Sequence, residues 1–250
     1  MALINGDEET GVCEKHGEYK FHRKYWQGNE LPIFAKCPKC EAEEMEIQEK
    51  EKERQAKREL LDYYKREGIE PIFLDCTLDN FIADTEELKR NKEAVSKLIA
   101  KEVNILFMVG NNGTGKTHLS IAALKELGGH IYTMYEISNM IRKTYVPESS
   151  RTELDVVDDL LKNKLLIIDE LGRTKGSEAE TRWLSYIIDK RYARKMPLIL
   201  ITNKHTMKDC PSHGCENCLE NYVSEDIMSR LAANGLLLKF SGADYRKKRG

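Results

Sequence analysis

From residue 70 onward, short apolar runs alternate with segments whose apolar residues recur at helical spacing. Five runs predict buried strands, at residues 104–109, 130–135, 165–168, 198–201 and 236–240. The segment 117–127, and another through Trp183 and Ile187, predict amphipathic helices between the strands. Alternating strands and helices are typical of a parallel α/β sheet, so residues 68–250 are expected to form one α/β domain.

Two further helices are predicted from local signals. Residues 41–67 form a dense charged run without Pro or Gly, rich in residues that favour helix. This run is expected to be a solvated connector helix docked only by its last turn; a helix that binds a partner is the alternative. Asp84, with Glu87 three residues later, predicts the reciprocally capped start of another helix.

Composition narrows the class of protein. Of 250 residues, 40% are apolar and 33% are charged, which is typical of a globular chain. The net charge of −2 excludes nucleic-acid binding through overall basicity, although not through a local basic patch. No apolar run is long enough to cross a membrane and no signal segment is evident, so a cytoplasmic, reducing location is expected. There the seven cysteines are expected to be metal ligands or buried thiols rather than disulfides.

A glycine-rich segment between the first predicted strand and its helix matches the phosphate-binding loop of nucleotide hydrolases. Its residues are Gly110, Asn111, Asn112, Gly113, Thr114, Gly115, Lys116 and Thr117. Glycines allow backbone N–H groups to close around phosphates, and the helix N-terminus adds a favourable dipole. Lys116 is therefore expected to bind the β- and γ-phosphates of ATP, and Thr117 to place its hydroxyl on Mg²⁺.

Two other predicted strands end in polar side chains. Asp169 and Glu170 follow the third strand, at the edge where parallel sheets bind ligands. Asp169 is expected to hold Mg²⁺, and Glu170 to deprotonate the attacking water. The long segment from Thr117 to Asp169 has room for a further strand with its helices, which predicts another strand between the two motif strands. Asn203 follows the fourth strand and is the candidate sensor of the γ-phosphate; a plain strand-end turn is the alternative.

Two clusters of cysteine and histidine have the spacing of zinc ligands. The N-terminal cluster lies within residues 1–40 and consists of Cys13, His16, Cys37 and Cys40. Paired N and S ligands complete the tetrahedron that Zn²⁺ prefers, and metal binding is expected to drive the folding of so small a module. A second candidate zinc cluster lies in a polar insertion at residues 204–222 and consists of Cys210, His213, Cys215 and Cys218. A cysteine-rich surface loop is the alternative for the second cluster.

The ordered set of motifs resembles that of AAA+ ATPases of the DnaC/DnaI-type helicase loader group, with the IstB transposition helpers as close relatives. The resembling segments are residues 110–119, 166–172, 201–203 and 227–231. The resemblance implies an AAA+ core and adds His118 to the nucleotide-binding residues. It also implies that Arg230 is an arginine finger that acts on a neighbouring subunit. From the residues alone, Arg230 could equally be an ordinary surface arginine.

The same resemblance also predicts features at the start and the end of this domain. The segment Cys76–Phe81 is similar to one that precedes the nucleotide domain in the group, and it is expected to lie against the adenine base. Arg246 resembles a C-terminal arginine near the nucleotide; a basic tail is the alternative. The chain after Asn203 is too short for a full AAA+ lid, and a truncated lid implies a nucleotide-gated assembly switch rather than a motor.

Partners follow from the resemblance as well. It implies binding to a replicative helicase hexamer through the zinc module and the charged helix, binding to single-stranded DNA, and ATP-dependent self-assembly in a bacterial or phage-infected cell. The nearest candidates for DNA contacts are Arg142, Lys143, Tyr145 and residues 190–195, but a solvated helix face is the favoured interpretation of each, and none is assigned as a DNA site. The alternatives are an IstB-like transposition helper and a non-catalytic DNA-binding adaptor with a vestigial nucleotide pocket.

Overall fold

The computed structural model describes most of the chain. The described residues are 4–26, 29–30, 36–173, 178–210, 212, 215–222, 228–229, 235–242 and 244–245. The chain divides into two compact units, Met1–Asp62 and Tyr63–Gly250. No helix in the described part of the chain has the length and apolar character that crossing a membrane requires.

The first unit is built on an antiparallel hairpin that the sequence analysis did not predict. β1 (Ile4–Cys13) pairs with β2 (Gly17–Trp26), and the short β3 (Asn29–Glu30) extends the sheet in the order β1-β2-β3. At the turn, Cys13 pairs with Gly17, whose φ of 76° is a left-handed conformation that suits glycine. β1 is rich in polar residues and lacks the alternating apolar pattern that predicts a strand, whereas β2 carries part of that pattern in Tyr19, Phe21 and Tyr25.

The charged run forms the helix α1 (Pro38–Arg66), which begins inside the motif from Cys37 to Cys40 rather than after it. None of the helix residues, all of which are described, is buried. Charged side chains pair along the helix surface, as in the contact between Lys50 and Glu46 at 2.5 Å. Such exposed pairs support a helix only weakly, so the high helix propensity of the sequence contributes most here.

The second unit contains a parallel sheet of five strands. The strands are β4 (Ile105–Gly110), β5 (Gly129–Thr133), β6 (Leu165–Asp169), β7 (Leu198–Thr202) and β8 (Gly235–Phe240). Their order is β5-β6-β7-β4-β8, and each neighbouring pair is parallel. The α/β fold and the five strand predictions are confirmed, with small shifts at the strand ends.

Helices cover both faces of this sheet. They are α2 (Glu86–Ile99), α3 (Lys116–Leu127), α4 (Met134–Arg142), α5 (Glu153–Lys162) and α6 (Glu178–Ala193). Leu106 and Met108 of β4 share one core with α2 and α3, whereas Ile105 and Phe107 share the other with α4, α5 and α6. Because alternate residues enter different cores, the central strands β4, β6 and β7 are apolar along nearly their whole length, which is why they are recognisable in the sequence.

The predicted cap of α2 is wrong. Thr85, not Asp84, is the N-cap, and its hydroxyl accepts a hydrogen bond from the N–H of Leu88 at 3.1 Å. Glu87 instead accepts hydrogen bonds from the backbone N–H and the hydroxyl of Ser241, both at 2.7 Å. The Glu87 carboxylate therefore binds Ser241, which is distant in the sequence, and does not cap the helix as the local pattern predicted.

The strand predicted at residues 130–135 ends at Thr133, because this residue caps α4. The Thr133 hydroxyl accepts from the N–H of Glu136 at 3.2 Å, and the Glu136 carboxylate accepts from the N–H of Thr133 at 2.7 Å. This reciprocal capping box starts a helix where the apolar run alone would continue the strand.

The sheet order refines the prediction about the motif strands. A strand does lie between β4 and β6, but it is β7, which comes later in the chain. The strand formed between Thr117 and Asp169 is β5, at the sheet edge. Since the carboxyl ends of parallel strands meet at one edge, this order brings Gly110, Asp169 and Asn203 to the same edge.

Arg191 of α6 is a fully buried cation, with 0% of its surface exposed. Its guanidinium donates to the backbone carbonyls of Leu160 at 2.9 Å, Asn163 at 2.7 Å and Pro197 at 2.7 Å. Burial lowers the pKa of this side chain to about 10. Arg191 thus satisfies the carbonyl end of α5, and it is not available for the DNA contact considered for residues 190–195.

Replacing Arg191 with Met is expected to destabilise the protein by about 3 kcal/mol, because several buried carbonyl groups lose their donor. Arg191→Lys keeps the charge but lacks the planar fork of donors, so it should recover only part of this loss. Urea unfolding followed by circular dichroism measures both variants. A loss below about 0.5 kcal/mol for Arg191→Met would contradict the assigned role.

Candidate functional site

The phosphate-binding loop connects β4 to α3, and close packing requires two of its glycines. Gly110 has a φ of 134°, and a Cβ there would lie 2.2 Å from the carbonyl oxygen of Phe240. Gly115 has a φ of 96°, and a Cβ there would lie 2.6 Å from the ring of Phe81. These positions tolerate only glycine, so the backbone of the loop keeps the conformation that exposes its N–H groups.

Lys116 is the first residue of α3, and it is buried. Its ammonium group donates to the carbonyl oxygens of Gly110 at 2.7 Å and Asn111 at 2.5 Å. The Thr114 hydroxyl donates to the same carbonyl of Asn111 at 2.8 Å. These contacts hold the ammonium group inside the loop, where the phosphate oxygens of a nucleotide would compete for it.

Asp169 connects the two nucleotide motifs. Its Oδ2 accepts a hydrogen bond from the Thr117 hydroxyl at 3.0 Å, and its Oδ1 accepts from the N–H of Glu170 at 2.6 Å. Burial raises the pKa of the Asp169 carboxyl, and these two hydrogen bonds oppose the shift. A hydroxyl beside a carboxylate supplies the oxygen ligands that Mg²⁺ prefers next to a nucleotide, so the pair fits this cation.

Glu170 directly follows β6 in a left-handed backbone conformation, with a φ of 59°. This conformation is unfavourable for a residue with a Cβ, and such strain is concentrated at functional sites. The Glu170 carboxylate pairs with the guanidinium of Arg173. Both line a cleft of about 210 Å³ that is also bordered by Thr133 and Tyr135. Arg173 was missed by the sequence analysis, although its place three residues after the carboxylate is a detectable signal.

Asn203 follows β7 at the same sheet edge, and its side chain is exposed. The residues around it are fixed: the Thr202 hydroxyl donates to the carbonyl of Leu171 at 2.7 Å and accepts from the N–H of Lys204 at 3.1 Å. Asn203 therefore lies at the sheet edge that also carries Gly110 and Asp169, and its role as a sensor stays a prediction.

His118 contacts the segment Cys76–Phe81. Its Nε2 lies 2.9 Å from the carbonyl oxygen of Thr77 and 3.1 Å from Oδ1 of Asn80. The Phe81 ring meets the imidazole edge-on, with centroids 5.3 Å apart. The segment therefore packs on the start of α3, and its contact with adenine stays a prediction.

Three residues assigned from the sequence, His213, Arg230 and Arg246, lie outside the described residues. Met228 and Ser229, just before Arg230, are helical, and Met228 packs against the core on the α4–α6 face. The arginine finger and the C-terminal arginine therefore stay predictions.

The N-terminal cluster converges at the hairpin turn and the first turn of α1. Its four ligand atoms all lie within 4.8 Å of one another. His16 Nδ1 is 3.8 Å from the sulfur of Cys13, 3.7 Å from that of Cys37 and 3.3 Å from that of Cys40. In a tetrahedron with Zn–S bonds of about 2.3 Å, ligands stand about 3.8 Å apart, so the spacing fits zinc. Backbone N–H groups of Lys15 and His16 lower the pKa of Cys13 to about 6, which favours the thiolate that a metal binds.

A second cluster forms in the Cys-rich insertion, with one unexpected member. The insertion cluster consists of His205, Cys210, Cys215 and Cys218, whose ligand atoms also lie within 4.8 Å of one another. Among the described residues, His205 is the histidine that joins the three cysteines. His213, which the sequence analysis assigned to this cluster, lies outside the described residues, so its assignment stays a prediction. His205 was missed because it lies just after β7 and Asn203 and stands apart from the cysteines in sequence.

The sheet, the loop around Lys116 and the pairing of Thr117 with Asp169 define a P-loop nucleotide-binding protein of the α/β class. The sequence model of the IstB-like ATP binding protein family matches residues 49–250. The chain therefore belongs to the IstB-like family of ATP-binding proteins.

The proteins that this chain resembles include a replicative helicase loader. The replicative helicase loader DnaC of Escherichia coli (strain K12) is 26% identical over 195 residues, which cover 74% of this chain and 75% of that protein. A crystal structure of the DnaC helicase loader matches with a TM-score of 0.57 and 20% identity, over 68% of this chain and 99% of the other. A crystal structure of DnaI matches with a TM-score of 0.52 and 18% identity, over 70% and 93% of the two chains. These structural matches show the shared fold.

Replacing Asp169 with Asn is expected to stabilise the nucleotide-free protein at neutral pH. Burial raises the pKa of this carboxyl, so the charged form opposes folding above that pKa, and the opposition disappears as the pH falls through it. An amide keeps both hydrogen bonds, since its oxygen accepts from Glu170 and its nitrogen donates to Thr117.

Thermal unfolding with and without Mg-ATP measures both the stability of the nucleotide-free protein and its stabilisation by the ligand. Asp169→Asn should raise the midpoint in the absence of nucleotide, with a gain that shrinks at acidic pH, and it should lose most of the stabilisation by Mg-ATP. A variant that is less stable than the native chain without nucleotide would contradict the argument.

Proposed function

We propose that this protein is an ATP-hydrolysing loader that places a replicative DNA helicase on single-stranded DNA at the initiation of replication. The observation that carries the proposal is the hydrogen bond between Thr117 and Asp169, which joins the two nucleotide motifs next to Glu170. Similarity to the DnaC loader over 74% of the chain supports the choice of partner. Hydrolysis would act as the switch that releases the loader.

The described residues have distinct roles in this proposal. Lys116 binds the β- and γ-phosphates, and Thr117 and Asp169 hold Mg²⁺, which neutralises phosphate charge when bound. Glu170 takes a proton from the attacking water, and Asn203 orients that water against the γ-phosphate. Because Glu170 is paired with Arg173, it has to leave this contact before it acts as the base.

Further roles rest on the family resemblance. Arg230 would reach the γ-phosphate of a neighbouring subunit and so couple ATP to self-assembly. The first unit, with zinc in its N-terminal cluster, would engage the helicase together with α1. The exposed apolar side chains of Met45 and Ile47 on this helix are compatible with a protein contact.

A transposition helper is the second candidate, because the matching family is that of the IstB-like proteins. It would use the same ATP site with a transposase as its partner. Intact Lys116, Asp169 and Glu170 argue against the third alternative, an adaptor with a vestigial pocket.

Glu170→Gln is expected to bind ATP normally and to lose hydrolysis by about 100-fold or more, because the amide cannot accept the proton. Lys116→Ala is expected to lose ATP binding itself. Turnover assays and ATP titrations of the full chain distinguish these outcomes. Glu126→Gln, an exposed position on α3, is the matched control and should behave as the native chain. Equal turnover in Glu170→Gln and the native chain would rule out the assigned base.

The double variant Cys37→Ser, Cys40→Ser is expected to lose about one zinc per chain and to lose binding to the helicase, while it keeps ATP hydrolysis. Elemental analysis gives the zinc content. Light scattering of the full chain mixed with its host's replicative helicase and ATP gives the mass of any complex. No complex with the native chain, in the presence of intact ATPase activity, would favour the transposition helper.

A further inference from the structure

The insertion cluster has the geometry of a metal site before any ion is considered. Nε2 of His205 lies 3.1 Å from the sulfur of Cys215, and the sulfurs of Cys215 and Cys218 are 3.9 Å apart. The distance between the sulfurs matches the separation of about 3.8 Å between sulfur ligands of a tetrahedral zinc ion, and the imidazole nitrogen lies closer than that. Cys210 and Cys218 are buried, and none of these three described cysteines is in a disulfide. A set of three thiols and one imidazole binds zinc in preference to Mg²⁺ or Ca²⁺.

Local turns hold the cysteines in this arrangement. The N–H of Cys218 donates to the carbonyl of Cys215 at 3.0 Å, and the Asn221 side-chain amide donates to the same carbonyl at 2.9 Å. The N–H of Cys210 closes a second turn on the carbonyl of Met207 at 3.2 Å. In the described part of the insertion, regular structure is limited to two single 3-10 turns and one isolated bridge, so its order depends on individual contacts, to which a bound metal would add.

His205 connects the cluster to the end of β7. Its N–H donates to the carbonyl of Asn217 at 3.2 Å, and its carbonyl accepts from the N–H of Leu219 at 2.8 Å. Leu219 is fully buried in the core on the α4–α6 face. The cysteine turn therefore forms a parallel bridge with the chain directly after Asn203.

Lys204 lies between Asn203 and His205, and the same insertion covers it. Its ammonium group lies 3.7 Å from the centre of the Tyr222 ring, and the side chain is buried. A Cβ on Gly172 would lie 2.5 Å from Cε of Lys204 and 3.2 Å from Tyr222. Lys204 and Tyr222 of the insertion thus pack against each other and against Gly172, in the loop that follows Glu170.

We propose that the insertion cluster binds a zinc ion, and that this ion fixes the end of β7 so that Asn203 is held in place for ATP hydrolysis. His205 stands two residues from Asn203, so a metal bound to its imidazole limits the positions that the sensor can take. The coupling to hydrolysis rests on the proposed ATPase function, whereas the metal site does not. In this role His205 is a positioning residue.

The metal site is tested by elemental analysis of full-length chains that lack the N-terminal cluster through Cys37→Ser and Cys40→Ser. These chains should contain about one zinc each, and the addition of Cys215→Ser should remove it. The addition of His205→Ala should weaken zinc binding at least about tenfold in competition with a chelator. His213→Ala, at the competing histidine, and Glu216→Gln, an exposed control in the same insertion, should both keep the metal.

The coupling is tested by separating ATP binding from turnover in chains that keep the N-terminal cluster. Cys215→Ser should lower kcat at least about tenfold while the Kd for ATP stays within about threefold. Glu216→Gln should leave both values unchanged. An unchanged Kd for ATP also shows that the nucleotide domain of the variant is folded.

Each adverse outcome overturns a different part of the proposal. Absence of zinc from the chain without the N-terminal cluster overturns the metal site, and loss of zinc in His213→Ala but not in His205→Ala overturns the ligand set. Equal kcat in Cys215→Ser and the native chain overturns the coupling. If the native chain binds zinc in the insertion but hydrolyses no ATP, the proposed function and the coupling fail while the metal site stands.

Discussion

The nucleotide site depends on the placement of β7 between β4 and β6. The motif strands are not neighbours, yet the hydroxyl of Thr117 and the carboxylate of Asp169 meet at 3.0 Å. They meet because β7 pairs in parallel with both strands, with Met108 opposite Ile201 and Ile168 opposite Leu200. Both faces of this sheet are packed by helices, so the edge that carries the site is a rigid platform.

Several residues at that edge hold conformations or charges that oppose folding. Glu170 adopts a left-handed backbone, the half-buried Asp169 carboxyl has a raised pKa, and Lys116 is buried against carbonyl oxygens. The apolar cores on either face offset these local penalties, since they contain the long apolar side chains of five strands and five helices. A site that is strained at rest is suited to bind a charged ligand that relieves the strain.

Both Cys/His clusters lie in segments that lack an apolar core of their own. The hairpin of β1 and β2 is largely polar, and the insertion has little regular structure in its described part, so neither segment buries enough apolar surface to be ordered by a core of its own. Ligand atoms that converge within 4.8 Å offer a different source of order, namely bonds to a metal.

The sequence by itself determined the five strands, the phosphate loop and the acidic pair, because these depend on apolar periodicity and on residues adjacent in the chain. Only the tertiary structure decided the strand order, the hairpin of the first unit and the membership of His205 in the insertion cluster. It also made Thr85 the N-cap that local spacing assigned to Asp84, and it placed Ser241 against Glu87. Local patterns act over a few residues, whereas strand order and ligand sets depend on contacts between residues far apart in the chain, which no local pattern encodes.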